Sequence, residues 1–158
     1  MKKIVGLILI ASMLSAGVMA QKAAKAVYAE LGGPGLASIN YDMRFQKKEG
    51  GLGFRAGVGG LAIDGNSLLL VPVGLNYIVS RDQKNYFEVG AGITYVRAQD
   101  DYDDFDDDVF DGTFGHLSVG YRLQPAAGGF FFRAAITPVF ARGTFIPYYA
   151  GIGFGYKF

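Results

Sequence analysis

From Tyr28 to Phe158, apolar and small or polar positions alternate with a period of two, and no stretch carries the three-to-four spacing of an amphipathic helix. Breaks rich in Gly, Pro, Asp or Asn interrupt the alternation at Gly33-Pro34-Gly35, Gln46 to Gly51, Asp64-Gly65-Asn66, Arg81 to Asn85, Gln99 to Gly112, Pro125 to Gly129 and Arg142 to Ile146. Seven breaks leave eight strands, so the chain is all-β. The first division is the weakest, because residues 27–45 keep one alternation phase through their glycines and read equally as one long bent strand. An even strand number, the rule for single-chain bacterial barrels, favours two.

Splitting each strand into its two faces gives a consistent asymmetry. One face is bulky and uncharged: Leu69, Val71, Val73, Leu75, Tyr77 and Val79 in one strand, and Tyr148, Ala150, Ile152, Phe154, Tyr156 and Phe158 in the last. The other face mixes glycine with isolated charges, as in Gly53, Arg55, Gly57 and Gly59. If the bulky face pointed inward, the protein would be a soluble periplasmic lipid-binding barrel of lipocalin type, and its outer face should be rich in Lys and Glu. Glycine dominates that face instead. With the bulky face outward, its continuous apolar belt demands lipid as solvent, and the glycines line a bore too narrow for many long side chains. Ten strand glycines fall on this inward phase, and only Gly60 and Gly115 fall outside it. The pattern predicts a closed, antiparallel, up-and-down transmembrane β-barrel, which leaves no sheet edge unpaired in hydrocarbon.

Composition removes several alternatives. Among 158 residues there are 24 Gly but neither Cys nor Trp, so a disulfide scaffold and a cysteine-ligated metal are excluded. A formal charge of +1 gives no footprint for nucleic acid. Lys2 and Lys3, the apolar stretch from Ile4 to Leu14 and the small residues at Val18 and Ala20 read as a signal peptide over residues 1–20, leaving one barrel domain over 21–158. Without Lys2 and Lys3, 13 basic residues face 14 acidic ones, and eight of the acids lie between Asp100 and Asp111. An acidic outer segment of −8 then opposes a remainder of +7.

The sequence resembles the small outer-membrane β-barrel proteins of the OmpA/OmpX type, and more closely a group of uncharacterised Bacteroidota barrels. The resemblance rests on Tyr28-Ala29-Glu30-Leu31-Gly32-Gly33, Asn40-Tyr41, Pro72-Val73-Gly74-Leu75-Asn76-Tyr77, Gly120-Tyr121-Arg122 and the ending Gly153-Phe154-Gly155-Tyr156-Lys157-Phe158. It implies an outer-membrane location, contact with lipid and lipopolysaccharide, and a C-terminal signal at Phe154, Tyr156 and Phe158 for the barrel-assembly machinery. The absence of Trp is a departure, leaving any aromatic girdle to Tyr and Phe. With both ends in the periplasm, the breaks at Gln46, Arg81 and Pro125 become short turns and the Asp-rich break an outer loop.

Three constellations carry candidate chemistry. Glu30, Asp42, Arg44, Arg55, Glu88, His116, Arg122, Arg133 and Lys157 share the inward phase, with Asn40, Asn76, Thr94 and Ser118 between them. A selective pore is one reading, and a paired polar core filling the bore is the favoured one. His116 and Ser118, with Glu88 on the preceding strand, resemble the His-activated Ser of lipid A deacylase barrels, but their inward phase turns them away from lipid. Asp103, Asp104, Asp106, Asp107, Asp108 and Asp111 offer oxygen ligands to Ca2+, although the spacing is not that of an EF-hand, and a solvated loop is the plainer reading. The expectation is a monomeric, non-enzymatic outer-membrane barrel without a resident cofactor, structural or surface-interacting in role.

Overall fold

A computed structural model of the chain describes residues 23–63, 66–100 and 110–158. The strands are β1 (Lys25–Gly32), β2 (Ala37–Arg44), β3 (Gly51–Ile63), β4 (Asn66–Ser80), β5 (Asn85–Asp100), β6 (Phe110–Leu123), β7 (Gly129–Ile136), β8 (Val139–Ala141), β9 (Thr144–Ile146) and β10 (Ala150–Lys157). Eight long strands pair antiparallel with their neighbours, and β1 joins β10 to close the ring. Stepping across paired residues from Val96 through Leu70, Gly59, Ser38, Glu30, Gly153, Arg133 and Arg122 returns to β5 at Tyr86, ten residues from the start. That stagger tilts the strands and sets the width of the bore, which side chains can fill.

The region left open between one strand and two, residues 27–45, is a hairpin. Leu31 pairs with Ala37, so an odd number of residues turns the chain and both arms keep the same parity. Alternation alone therefore could not separate the two readings. Gly32 and Gly33 take positive φ at 73° and 66°, where glycine costs nothing, while Leu36 is held at 58°. A leucine in that region stores about 1–3 kcal/mol of strain, carried by its surroundings. The turn folds into the bore: Gly33, Pro34 and Gly35 are all buried.

The seventh and eighth strands are each broken. Pro138 has no N–H for the ladder, so β7 ends at Ile136, yet Leu117 still donates to the Pro138 carbonyl at 3.0 Å and β8 resumes opposite β6. Between the Thr137–Tyr149 bond and the Val139–Ile146 pair, one chain advances by two residues and the other by three, a bulge that separates β9 from β10 while β9 stays paired with β8. The eight expected strands are present, with β8 as the far part of the seventh; β9, however, lies within the break expected over Arg142 to Ile146, of which only Arg142 and Gly143 form the turn.

The two faces separate as the phasing requires. Leu75, Tyr77, Val79, Ile93, Val119, Phe130, Ile152 and Phe154 are among the exposed residues, while every charged residue of the inward phase is buried. Glycine makes that inward packing possible. At Gly120 a Cβ would stand 2.6 Å from the Cα of Ala135, whereas at outward-facing Gly115 nothing lies closer than 3.9 Å.

Candidate functional site

The buried charges form one chain across the bore, supplied by strands on all sides. Arg122 on β6 grips both oxygens of Asp42 on β2, at 2.9 and 3.0 Å, and its Nε donates to Glu88 Oε2 at 2.7 Å. Glu88 on β5 accepts from Arg133 Nε at 2.9 Å through its other oxygen. Arg133 also donates to Glu30 on β1, and the second Glu30 oxygen takes Arg55 of β3. Arg44 closes the other end, donating to Asp42 at 2.5 Å, to Asn76 and to the Gly51 carbonyl at 3.0 Å. The order Arg44, Asp42, Arg122, Glu88, Arg133, Glu30, Arg55 alternates sign throughout. Each carboxylate therefore lies between two guanidiniums, the arrangement that offsets the desolvation of buried charge.

Aromatic rings fill the space between these charges. Tyr28 and Phe131 stack with centroids 4.7 Å apart; Arg55 lies 5.6 Å from the first ring and Arg122 5.1 Å from the second. At the end where β1 begins and β10 ends, Lys157 Nζ donates to Glu49 Oε1 at 2.7 Å and to the Ala126 carbonyl at 2.6 Å. Gln124 donates to the Glu49 carbonyl at 2.9 Å, so the β2–β3 turn folds under the bore. Glu49 escapes a reading of strand phase because its position depends on turn conformation, whereas Gln124 continues the inward parity of β6.

His116, Ser118 and Glu88 border one small cavity of about 10 Å3 together with Arg55. That is roughly the space of a single water. They do not form a relay: both Glu88 oxygens are taken by arginines, and His116 Nδ1 lies 3.3 Å from Thr94 Oγ1. All three are buried, on the face turned away from the apolar belt. Asp103, Asp104, Asp106, Asp107 and Asp108 lie outside the described residues, as do residues 1–20; of Asp111 only its strand position opposite Arg97 is described. Phe154, Tyr156 and Phe158 are exposed on the outer face, with the Tyr156 and Phe158 rings edge to face at 5.6 Å.

The bore is not polar throughout. At the loop end, inward residues Leu68, Leu70, Val96, Phe114 and Val139 line an apolar chamber of about 400 Å3, with Pro34 and Leu36 of the inturned β1–β2 connection as its floor. The expected polar core thus does not fill the loop end of the bore. The inward phase of residues 68–72 is apolar in the sequence too, but only the inturned connection partitions it from the charges below.

Comparison with solved structures gives two matches to closed membrane barrels. The N-terminal β-barrel domain of Pseudomonas aeruginosa OprF aligns with a TM-score of 0.62 at 12% identity, covering 86% of this chain and 96% of that one. The Yersinia pestis outer membrane protein Ail, solved in a phospholipid bilayer nanodisc, aligns at 0.56 and 12% identity over 87% and 99%. The fold is that of the small outer-membrane β-barrels. No protein-family model and no curated protein matches the sequence. At 12% identity the likeness is one of fold. It lies in the backbone, a closed ring of antiparallel strands.

Proposed function

We propose that the chain is an integral outer-membrane barrel, exported by a cleaved signal over residues 1–20, non-enzymatic and non-conducting, that acts through its outer loops and its contact with lipid. The observation that carries this reading is the pairing of an uninterrupted exposed apolar belt with a bore closed by salt-linked side chains. A soluble lipid-binding barrel would carry that belt inside. A lipid-modifying enzyme would need His116 and Ser118 to meet an acyl ester, whereas both are buried on the inner face. On this reading Phe154, Tyr156 and Phe158 engage the assembly machinery, lipid and lipopolysaccharide surround a monomer, and the acidic segment is a solvated outer loop or a Ca2+ site.

Two experiments test the proposal. The mature chain, refolded into detergent and run unboiled, should migrate faster than the boiled sample, and planar bilayers containing it should show no steady conductance. A stable channel would contradict the filled bore, and indifference to boiling would contradict the barrel in its membrane form. Titration calorimetry with Ca2+ decides between the two forms of the acidic segment: heat at millimolar metal supports the site, and its absence leaves the solvated loop.

A further inference from the structure

The barrel wall is notched on one side. Strands β1 and β2 hold eight residues each, while β3 to β6 run to between 13 and 16. The last partner of β3 on β2 is Ser38, opposite Gly59, so β3 continues to Ile63 without a ladder partner on that side among the described residues. On the other flank β9 pairs, among the described residues, with β8 alone, and the β1–β10 ladder stops at Gly32 and Gly151. Between the free edges of β3 and β9, above the β1–β2 connection, lie three inter-strand spacings, a gap of about 14 Å.

The apolar chamber lies behind this notch, and its floor is the same connection. Tyr149 is the one polar side chain among its lining residues. The chamber's size suits a small molecule or part of one, since ligand sites begin at about 300 Å3. What surrounds the opening can be read from the outer face. On one flank Leu69 of β4, opposite Gly60 just beyond the last β2 partner of β3, is 43% exposed; across the notch Phe145 of β9, paired with outward Phe140, is 57% exposed. The apolar belt thus continues above the notch floor on both flanks, so the gap opens at the depth of acyl chains and the unpaired edges lie at its outer margin.

We propose that the chamber holds one acyl chain of a phospholipid from the surrounding leaflet, which enters sideways through the notch over the β1–β2 connection. The inference rests on the membrane reading above. The polar network beneath the floor halts the chain, because Glu30 and Arg133 offer nothing to an alkyl end.

The test uses the full barrel in vesicles doped with phosphatidylethanolamine bearing a diazirine at the end of one acyl chain. After illumination, peptide mass spectrometry should find adducts on inward Leu70, Val96 or Phe114 as well as on outward Leu69 and Ile93. Leu70→Trp, and independently Val139→Trp, should fill the chamber and cut the inward adducts at least fivefold while leaving the outward ones, with the gel shift confirming folding of each. Adducts on the outward face alone overturn the proposal and leave the membrane barrel standing. Adducts on neither face overturn both. Inward labelling by a diazirine fatty acid added free, with none from the phospholipid, also overturns it, since the ligand would then come from solution.

Discussion

At the scale of single residues, the interior is decided by which groups lack an alternative to each other. Arg122 spans Asp42 and Glu88, so Arg122→Met should leave two buried carboxylates each short of a partner and cost about 3–5 kcal/mol in urea unfolding from bilayers. Glycine acts by the opposite route, through what it omits. Gly120→Val should fail to yield the heat-shifted form, because a Cβ there meets backbone that cannot move, whereas Gly115→Val should fold normally. Asp82 offers a test at the surface. In the turn after β4 its carboxylate accepts from the backbone N–H groups of Lys84 and Asn85 at 3.0 and 2.8 Å and from Asn85 Nδ2 at 2.5 Å, which holds it well below the usual carboxylate range. A depressed folded value stabilises above the unfolded one and is lost as pH falls toward the folded one. The stability gap between wild type and Asp82→Ala should therefore narrow on acidification below about pH 4, measured by the same unfolding assay. The inward charges from Glu30 to Lys157 were legible from phase alone. Their partners were not, since alternation fixes a face and says nothing of height along the bore. Hence Glu88 was matched to His116 in the sequence, whereas the structure gives it Arg122 and Arg133.

At the scale of elements, strand phase was legible and strand continuity was not. The five-residue connection between Leu31 and Ala37 preserves parity, so the β1–β2 hairpin was ambiguous by construction. The interruption at Pro138 alters hydrogen bonding without erasing the apolar spacing, so the sequence showed one unbroken strand there, while β9 lies within the break read at Arg142 to Ile146. The inturned β1–β2 connection, and the chamber above it, depend on backbone angles at Gly32, Gly33 and Leu36 that no periodicity encodes. Because the outer face of each strand meets a graded environment, one strand supplies an internal control. On β6, Val119→Arg lies within the apolar belt and should cost about 2–4 kcal/mol, while Thr113→Arg near the loop end should cost about 0–1 kcal/mol. Equal costs at both positions would remove lipid from the account of that face.

At the scale of the whole molecule, the closed ring and its ten-residue stagger leave a bore that the side chains of one face can fill, and the belt on the other face needs lipid. Orientation of the faces is the central claim, and the absence of cysteine makes it accessible to a unique spin label at each site. The most direct measurement is a label scan along β6 from His116 to Tyr121, omitting Gly120, in vesicles, recording collision with oxygen, which concentrates in lipid, and with a water-soluble nickel chelate. Labels at Leu117, Val119 and Tyr121 should collide with oxygen, and those at His116 and Ser118 with neither reagent. Collision with the nickel chelate at Leu117, Val119 and Tyr121 would contradict the account.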